Sequence, residues 1–250
     1  ILNNAEFNKV WSDPLLKYSN IMASLFHKSV VLCESDSDCK MYSIIESHIK
    51  QKQQKYSETL FIHCGGKHRM SKIIQALRSL NVAVTTIVDI DILNDEAIFK
   101  GIVEAYGIDY NSIKPDYNKI VCNLHSPKEN IDRITAKSII NQVLDSSKNK
   151  NLSNKEIEAI EEAVSTISKW KVLKSSGISA LSPGDATSSF RRIDGLLKEH
   201  GVYIVPVGEL ECFIKEVGGH GPEWVNKVLV EYTNLDDEVY KSITEFITSM

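Results

Sequence analysis

Short apolar runs alternate with amphipathic stretches along the first hundred residues. Lys28-Ser29-Val30-Val31-Leu32-Cys33-Glu34 is β-branched and apolar up to its acidic last residue, the composition of a strand buried on both faces. A helical pattern runs from Cys39 to about Lys52, behind Ser35 and Asp36, residue types that cap helix starts. Leu60-Phe61-Ile62-His63-Cys64 predicts a second strand and Gly65-Gly66 its turn. Lys67 to Leu80 then places Met70, Ile73, Ile74 and Leu77 on one helical face. Ala83 to Val88 predicts a third strand, and Glu96 to Tyr106 a further helix. Strand and helix alternating at short intervals predict an α/β fold with a mostly parallel central sheet flanked by helices.

The pattern changes after residue 108. Residues 109–170 are polar and helical in period over Ile131 to Leu144 and Asn154 to Trp170, with Ser153 and Glu156 spaced as a capping box. This block predicts a helical insertion or subdomain. Alternation resumes with Trp170 to Gly177, a Ser182-Pro183-Gly184-Asp185 turn, a helix from Ala186 to His200, and a last strand over Gly201 to Val207. A helical region from Pro222 to Met250 follows. The predicted organisation is a lead-in over 1–27, a first half of the core over 28–108, the insertion over 109–170, and a second half with closing helices over 171–250. The absence of Met ahead of Ile1 predicts a piece of a longer protein.

Composition changes this picture little. A net charge of -4 over 250 residues argues against a surface built to coat a polyanion, though a local basic groove beside an acidic site remains compatible with nucleic acid. Five cysteines without a CxxC pair point away from zinc and disulfides and toward reduced thiols in the cytoplasm. No apolar stretch approaches membrane-spanning length.

The chemistry lies in acids at strand ends. Val88-Asp89-Ile90-Asp91 closes the third strand, Glu34 the first, and Gly208-Glu209-Leu210-Glu211 the last. Taken alone, Asp89 and Asp91 read equally well as turn and cap residues. Three parallel strands ending in acids, however, bring those carboxylates to one edge of the sheet, where open α/β sheets bind ligands. Carboxylates so gathered need cations between them, and two hard divalent ions such as Mg²⁺ satisfy them.

Four motifs in order, Val31-Leu32-Cys33-Glu34-Ser35-Asp36-Ser37-Asp38-Cys39, His63-Cys64-Gly65-Gly66-Lys67, Val88 to Glu96, and Val207-Gly208-Glu209-Leu210-Glu211, resemble the C-terminal Toprim region of the OLD (overcoming lysogenization defect) family of ATP-dependent endonucleases. The resemblance spans about Lys28 to Trp224. Ser35 departs from it, standing where many Toprim domains carry glycine. The resemblance implies a Toprim-like fold and a two-metal nuclease that cleaves or nicks DNA. It implies that Glu34, Asp89 and Asp91 hold one Mg²⁺ or Mn²⁺ ion and act in catalysis, and that Asp38 and Glu211 hold a second. Asp36, Asp95 and Glu209 read equally as caps or as outer partners of the ligands. It also implies an ATPase domain in the parent chain, a homodimer in the full-length protein and a role in phage defence.

A phosphoryl transition state needs fixed positive charge. Lys174, read as lying in a loop before Gly177, is the first candidate and Lys215 the second. Lys67, His68, Arg69 and Lys72 behind the double glycine predict a surface for DNA phosphates. Arg191 and Arg192 read as solvated helix residues first and as an extension of that basic surface second, and His63 and His220 read as structural. Gly65-Gly66-Lys67 is not a P-loop, so no nucleotide site is assigned. Two competing readings are a haloacid-dehalogenase-like phosphatase, whose first strand also ends in Asp-x-Asp, and a non-catalytic Toprim-like interaction module. Leu93 and the acid-ended strand ahead of Asp89 count against the phosphatase.

Overall fold

The computed structural model describes residues 8, 12–13, 21–124, 133–146, 151–157, 160 and 169–250. Four strands, β1 (Ser29–Cys33), β2 (Thr59–His63), β3 (Val84–Val88) and β4 (Val202–Ile204), form one sheet in the order β2-β1-β3-β4. All three pairings are parallel, with Val31 registered on Phe61 and Thr85, and Val88 on Ile204. The predicted α/β class with a parallel sheet is therefore what the chain forms.

Alternation along each strand feeds two separate cores, because successive side chains leave on opposite faces. Val30, Leu32, Ile62, Val88, Val202 and Ile204 enter the first core. On that face pack α2 (Met70–Ser79), α3 (Glu96–Ala105), α4 (Tyr110–Leu124), α6 (Lys169–Ser176) and α7 (Asp185–Glu199). Val31, Cys33, Ile87, Tyr203 and Val205 enter the second, against α1 (Asp36–Lys52), α8 (Gly221–Glu231) and α9 (Lys241–Thr248). Trp224 of α8 is fully buried there, its indole N–H donating to the Ile214 carbonyl at 3.4 Å. A further helix, α5 (Arg133–Asp145), adds none of its described side chains to either core.

Within the stretch read as an insertion, α4 packs on α7 and places Tyr110, Ile113, Tyr117, Ile120 and Leu124 in the first core. Phe99, Tyr110 and Tyr117 form a ring cluster, Phe99 stacked on Tyr117 at 5.4 Å between centroids. The capping box at Ser153 is present: Glu156 accepts from the Ser153 N–H and the Ser153 hydroxyl accepts from the Glu156 N–H. Most of the helix predicted from Asn154, and most of 1–20, lie outside the described residues. The lead-in's last part, a 3-10 turn over Ile21–Phe26, lies against edge strand β2. Among the described residues no helix is long and apolar enough to cross a membrane.

Candidate metal centre

The carboxyl edge of the sheet collects the acids by purely local means. β1 ends at Cys33, and the next residue, Glu34, sits where β2 also exits, its carbonyl accepting from the Gly66 N–H at 3.2 Å. Ser35 then starts α1, three residues earlier than its apolar period indicates. The Ser35 hydroxyl accepts from the Asp38 N–H at 3.2 Å, and Asp38 Oδ2 accepts from the Ser35 N–H at 2.8 Å. A serine suits this position better than glycine would for capping, and it turns Asp38 inward with one carboxylate oxygen still unused by the box.

After β3 the chain enters a 3-10 turn over Ile90–Asn94, with Asp89 extended at its start and making no side-chain cap bond. Capping is instead done by Asp95, whose Oδ1 accepts from the Ile98 N–H at 3.0 Å to open α3. The ligand atoms of Glu34, Asp89 and Asp91 all lie within 4.8 Å of one another. Asp89 and Asp91 thus stand at the start of and within this turn, with their carboxylates gathered beside Glu34. Asp36, the first residue of α1, is by contrast exposed and accepts from the Ser37 N–H.

Beyond β4, Glu209 and Glu211 form a second group with His220, again with ligand atoms within 4.8 Å. Glu211 Oε1 lies 2.8 Å from His220 Nδ1 and accepts from the Gly221 N–H at 2.7 Å. His220, read as structural from the sequence, stands beside the acids because the loop after the Ile214–Val217 stretch returns α8's start to them. No local spacing signals it.

Two lysines reach the same edge. Lys174 Nζ is 3.0 Å from Glu209 Oε2, and Lys67 Nζ is 3.1 Å from Asp91 Oδ2. Lys174 belongs to α6, not to a loop, because the run from Lys169 to Ser176 continues helical up to Gly177. Lys67, expected on an outward surface, points into the acids. His68, Arg69 and Lys72 remain exposed, with Lys72 paired to Asp13. Lys215 is held away from the centre, donating to the Ser175 carbonyl at 3.0 Å. Arg192 forms a two-nitrogen pair with Asp116 on the far helices, and His63 is exposed.

Crowding of like charge shows in the acidities. Burial, then Asp38, Glu34, Asp91 and Glu209, push the Asp89 carboxyl well above its ordinary range. Burial and Asp91 raise Glu34 against the pull of Lys67. Burial raises Asp38 too, with Glu211 and Asp36 adding to it against the Ser35 bonds. Burial alone would lower Lys174, but its bond to Glu209 and the charges of Asp91 and Asp89 raise it. The two acid groups therefore share one electrostatic environment. Six carboxylates meet two lysines there, and hard oxygen donors with unrelieved negative charge fit divalent cations of the Mg²⁺ class.

Residues 25–91 match the family model described as "Overcoming lysogenization defect protein-like, TOPRIM domain". This stretch is an OLD-like Toprim region. No curated protein and no solved structure matches the chain significantly. The Toprim match takes in Glu34, Asp38, Lys67, Asp89 and Asp91, and with the acidic cluster it marks a metal-binding function connected with nucleic acid. Lys174, Glu209, Glu211 and His220 lie beyond it and join the Toprim acids through the fold.

Proposed function

We propose that this chain is the catalytic part of a divalent-metal-dependent DNA endonuclease, an OLD-type Toprim nuclease that nicks or cleaves phosphodiester bonds. The observation that carries the reading is the convergence of Glu34, Asp89 and Asp91 while Asp95 does the capping. In this reading Glu34, Asp89 and Asp91 hold one Mg²⁺ or Mn²⁺ ion. Asp38, through the oxygen its capping box leaves over, and Glu211 hold a second, with Glu209 and His220 beside it. Ions so held supply Lewis acidity, making water more acidic and shielding charge on a phosphoryl oxygen.

The chain's own groups supply orientation. Lys174 is a half-buried cation, and it can exchange Glu209 for the phosphate of a bound strand. Lys67 neutralises Asp91 in the free protein and is poised to do the same for an incoming phosphate. Exposed His68 and Arg69 extend that charge outward along the path of DNA. An ATPase domain in the parent chain, dimerisation through it, a cytoplasmic setting and a role in phage defence belong to the same proposal.

A supercoiled-plasmid nicking assay with Mg²⁺ or Mn²⁺ tests it. Loss of an outer partner of a metal ligand typically costs about 10–100-fold, so Glu34→Ala, which removes a ligand itself, is expected to cost more than about 100-fold. Lys174→Ala is expected to cost about 10²–10³-fold, as removal of a single charge-stabilising donor does elsewhere. Equal nicking by wild type and Glu34→Ala would exclude nuclease chemistry at this centre. Phosphatase activity lost in Asp89→Ala, with DNA untouched by wild type, would replace it with the phosphatase reading.

A further inference from the structure

Two groups of ligating side chains meet at the centre, and they differ in chemistry. Glu34, Asp89 and Asp91 offer oxygen alone, whereas Glu209, Glu211 and His220, whose ligand atoms also lie within 4.8 Å of one another, include an imidazole nitrogen. His220 occupies the N-cap position of α8 in extended backbone, at φ -148 and ψ 150. Histidine is not among the residue types that cap helices well, and its ring makes no cap bond. Glu211 serves that end of α8 instead, accepting from the Gly221 N–H at 2.7 Å.

The imidazole is thereby left without a structural task. Its side chain is 73% exposed and enters neither core, and an ion pair so open contributes little to stability. It is oriented nonetheless, with Nδ1 2.8 Å from Glu211 Oε1. Ligand atoms about 2.1 Å from one ion and at right angles around it stand about 3 Å apart, so this spacing matches an edge of a coordination polyhedron. A cation can replace the proton between Nδ1 and Oε1, the imidazole then carrying its proton on Nε2, which has no partner among the described residues. Oxygen is available beside it. Glu209 gives Oε2 to Lys174 and Glu211 gives Oε1 to the Gly221 N–H, and among the described residues no donor meets the other oxygen of either. Both side chains also keep an opening to solvent, 19% for Glu209 and 13% for Glu211.

The donor set selects the class of ion. Carboxylate oxygens alone suit Mg²⁺, a hard ion that gives up its water reluctantly, and an imidazole beside them moves the preference to first-row transition dications. We propose that His220 is a ligand of the second ion, and that this site takes a transition dication such as Mn²⁺ or Co²⁺ in preference to Mg²⁺. The two ion sites of the reading above, on which this rests, are then chemically unlike: Glu34, Asp89 and Asp91 form an all-oxygen site, and Glu209, Glu211 and His220 a mixed one.

Pulsed electron paramagnetic resonance of the 250-residue chain loaded with Mn²⁺ reads this without any activity, because a directly bound imidazole nitrogen modulates the Mn²⁺ echo. Nitrogen coupling is expected in wild type and in Glu34→Ala, which removes a ligand of the other site, and is expected to vanish in His220→Gln. In calorimetric titrations His220→Gln should lower the Mn²⁺ affinity of one site by more than about tenfold, since loss of even an outer partner of a ligand costs about 10–100-fold. Its Mg²⁺ affinity should stay within about twofold of wild type, as Mg²⁺ gains little from imidazole. His220 is exposed, and melting curves in EDTA confirm that the variant folds as wild type does. Absence of nitrogen coupling in wild type, coupling that persists in His220→Gln, or an equal loss of Mn²⁺ and Mg²⁺ affinity in that variant would each overturn the proposal. Plasmid nicking keeps the two readings apart. Wild type that nicks DNA but shows no nitrogen coupling retains the nuclease and loses His220 as a ligand, whereas wild type that holds Mn²⁺ through nitrogen and nicks nothing retains the mixed site and loses the nuclease.

Discussion

Asp89 is the residue on which the centre's energetics turn. Burial and four neighbouring acids raise its folded pKa, so in the metal-free protein its charge is a penalty at neutral pH. The sign follows from linkage: a carboxyl bound more tightly to its proton when folded destabilises above its folded pKa, and that penalty is relieved as pH falls through it. Asp89→Asn is therefore expected to stabilise the metal-free chain by about 1–3 kcal/mol, the usual cost of an uncompensated buried polar group. For a chain of this size that is a rise of roughly 2–12 °C in melting temperature. The same variant should lose its response to Mg²⁺; a lower melting temperature than wild type in EDTA would refute the account. The convergence of Asp89, Asp91 and Glu34 was legible in the sequence because acids that end neighbouring parallel strands come to one edge of the sheet. The inward turn of Lys67 was not, since its neighbours His68 and Arg69 do face out and nothing local distinguishes it. His220 was hidden for another reason: eight residues separate it from Glu211, and only tertiary closure joins them.

Elements are held in place around the centre by two glycines that approach one another's backbones. Gly208, at φ +122, would carry a Cβ 1.9 Å from the Lys174 carbonyl oxygen, and Gly177, at φ +60, one 2.0 Å from that of Pro206. The end of α6 and the exit of β4 are thereby interleaved, with the Ile178 N–H donating to Pro206 at 2.9 Å and the Ile90 N–H to Gly208 at 3.0 Å. This contact is what sets Lys174 against Glu209 and Glu209 near Asp89. Gly208→Ala or Gly177→Ala combines a left-handed backbone with a backbone clash, so each is expected to cost about 3 kcal/mol or more. Gly195→Ala supplies the control: with open space around its Cβ on the exposed face of α7, it should stabilise by about 0.4–1 kcal/mol. Thermal denaturation of the three variants decides, and similar effects at 177, 195 and 208 would dismiss the interlock. Nothing local in the sequence marks either glycine for this contact. A close approach between elements thirty residues apart leaves no local pattern, which is also why α6 read as a loop.

At the scale of the molecule the centre joins the two cores that lie on opposite faces of the sheet. Lys67 and Lys174 come from elements packed on the first core, Asp38, Glu211 and His220 from elements on the second, and Glu34, Asp89 and Asp91 from the strand ends between. The sheet and its helices were legible because short β-branched runs and amphipathic stretches specify them locally. The splitting of the helices between two faces followed from alternation within each strand. A cation at the junction binds only when both cores are in place, so it should stabilise the whole chain by mass action. At a hundred times its dissociation constant the gain is about 2.7 kcal/mol, a rise of roughly 5–11 °C in melting temperature. That gain must shrink with acid, because Asp89, Glu34 and Asp38 all bind protons more readily in the folded chain than ordinary carboxylates do, and a proton displaces the cation. The metal-free chain moves the opposite way, since protonation relieves the repulsion among these same groups. Melting curves with Mg²⁺ and with EDTA, taken from about pH 8 down to about pH 5, should therefore converge as the carboxylates titrate. Parallel curves across that range would mean that Mg²⁺ acts elsewhere on the surface and that the strand-end acids are not its ligands.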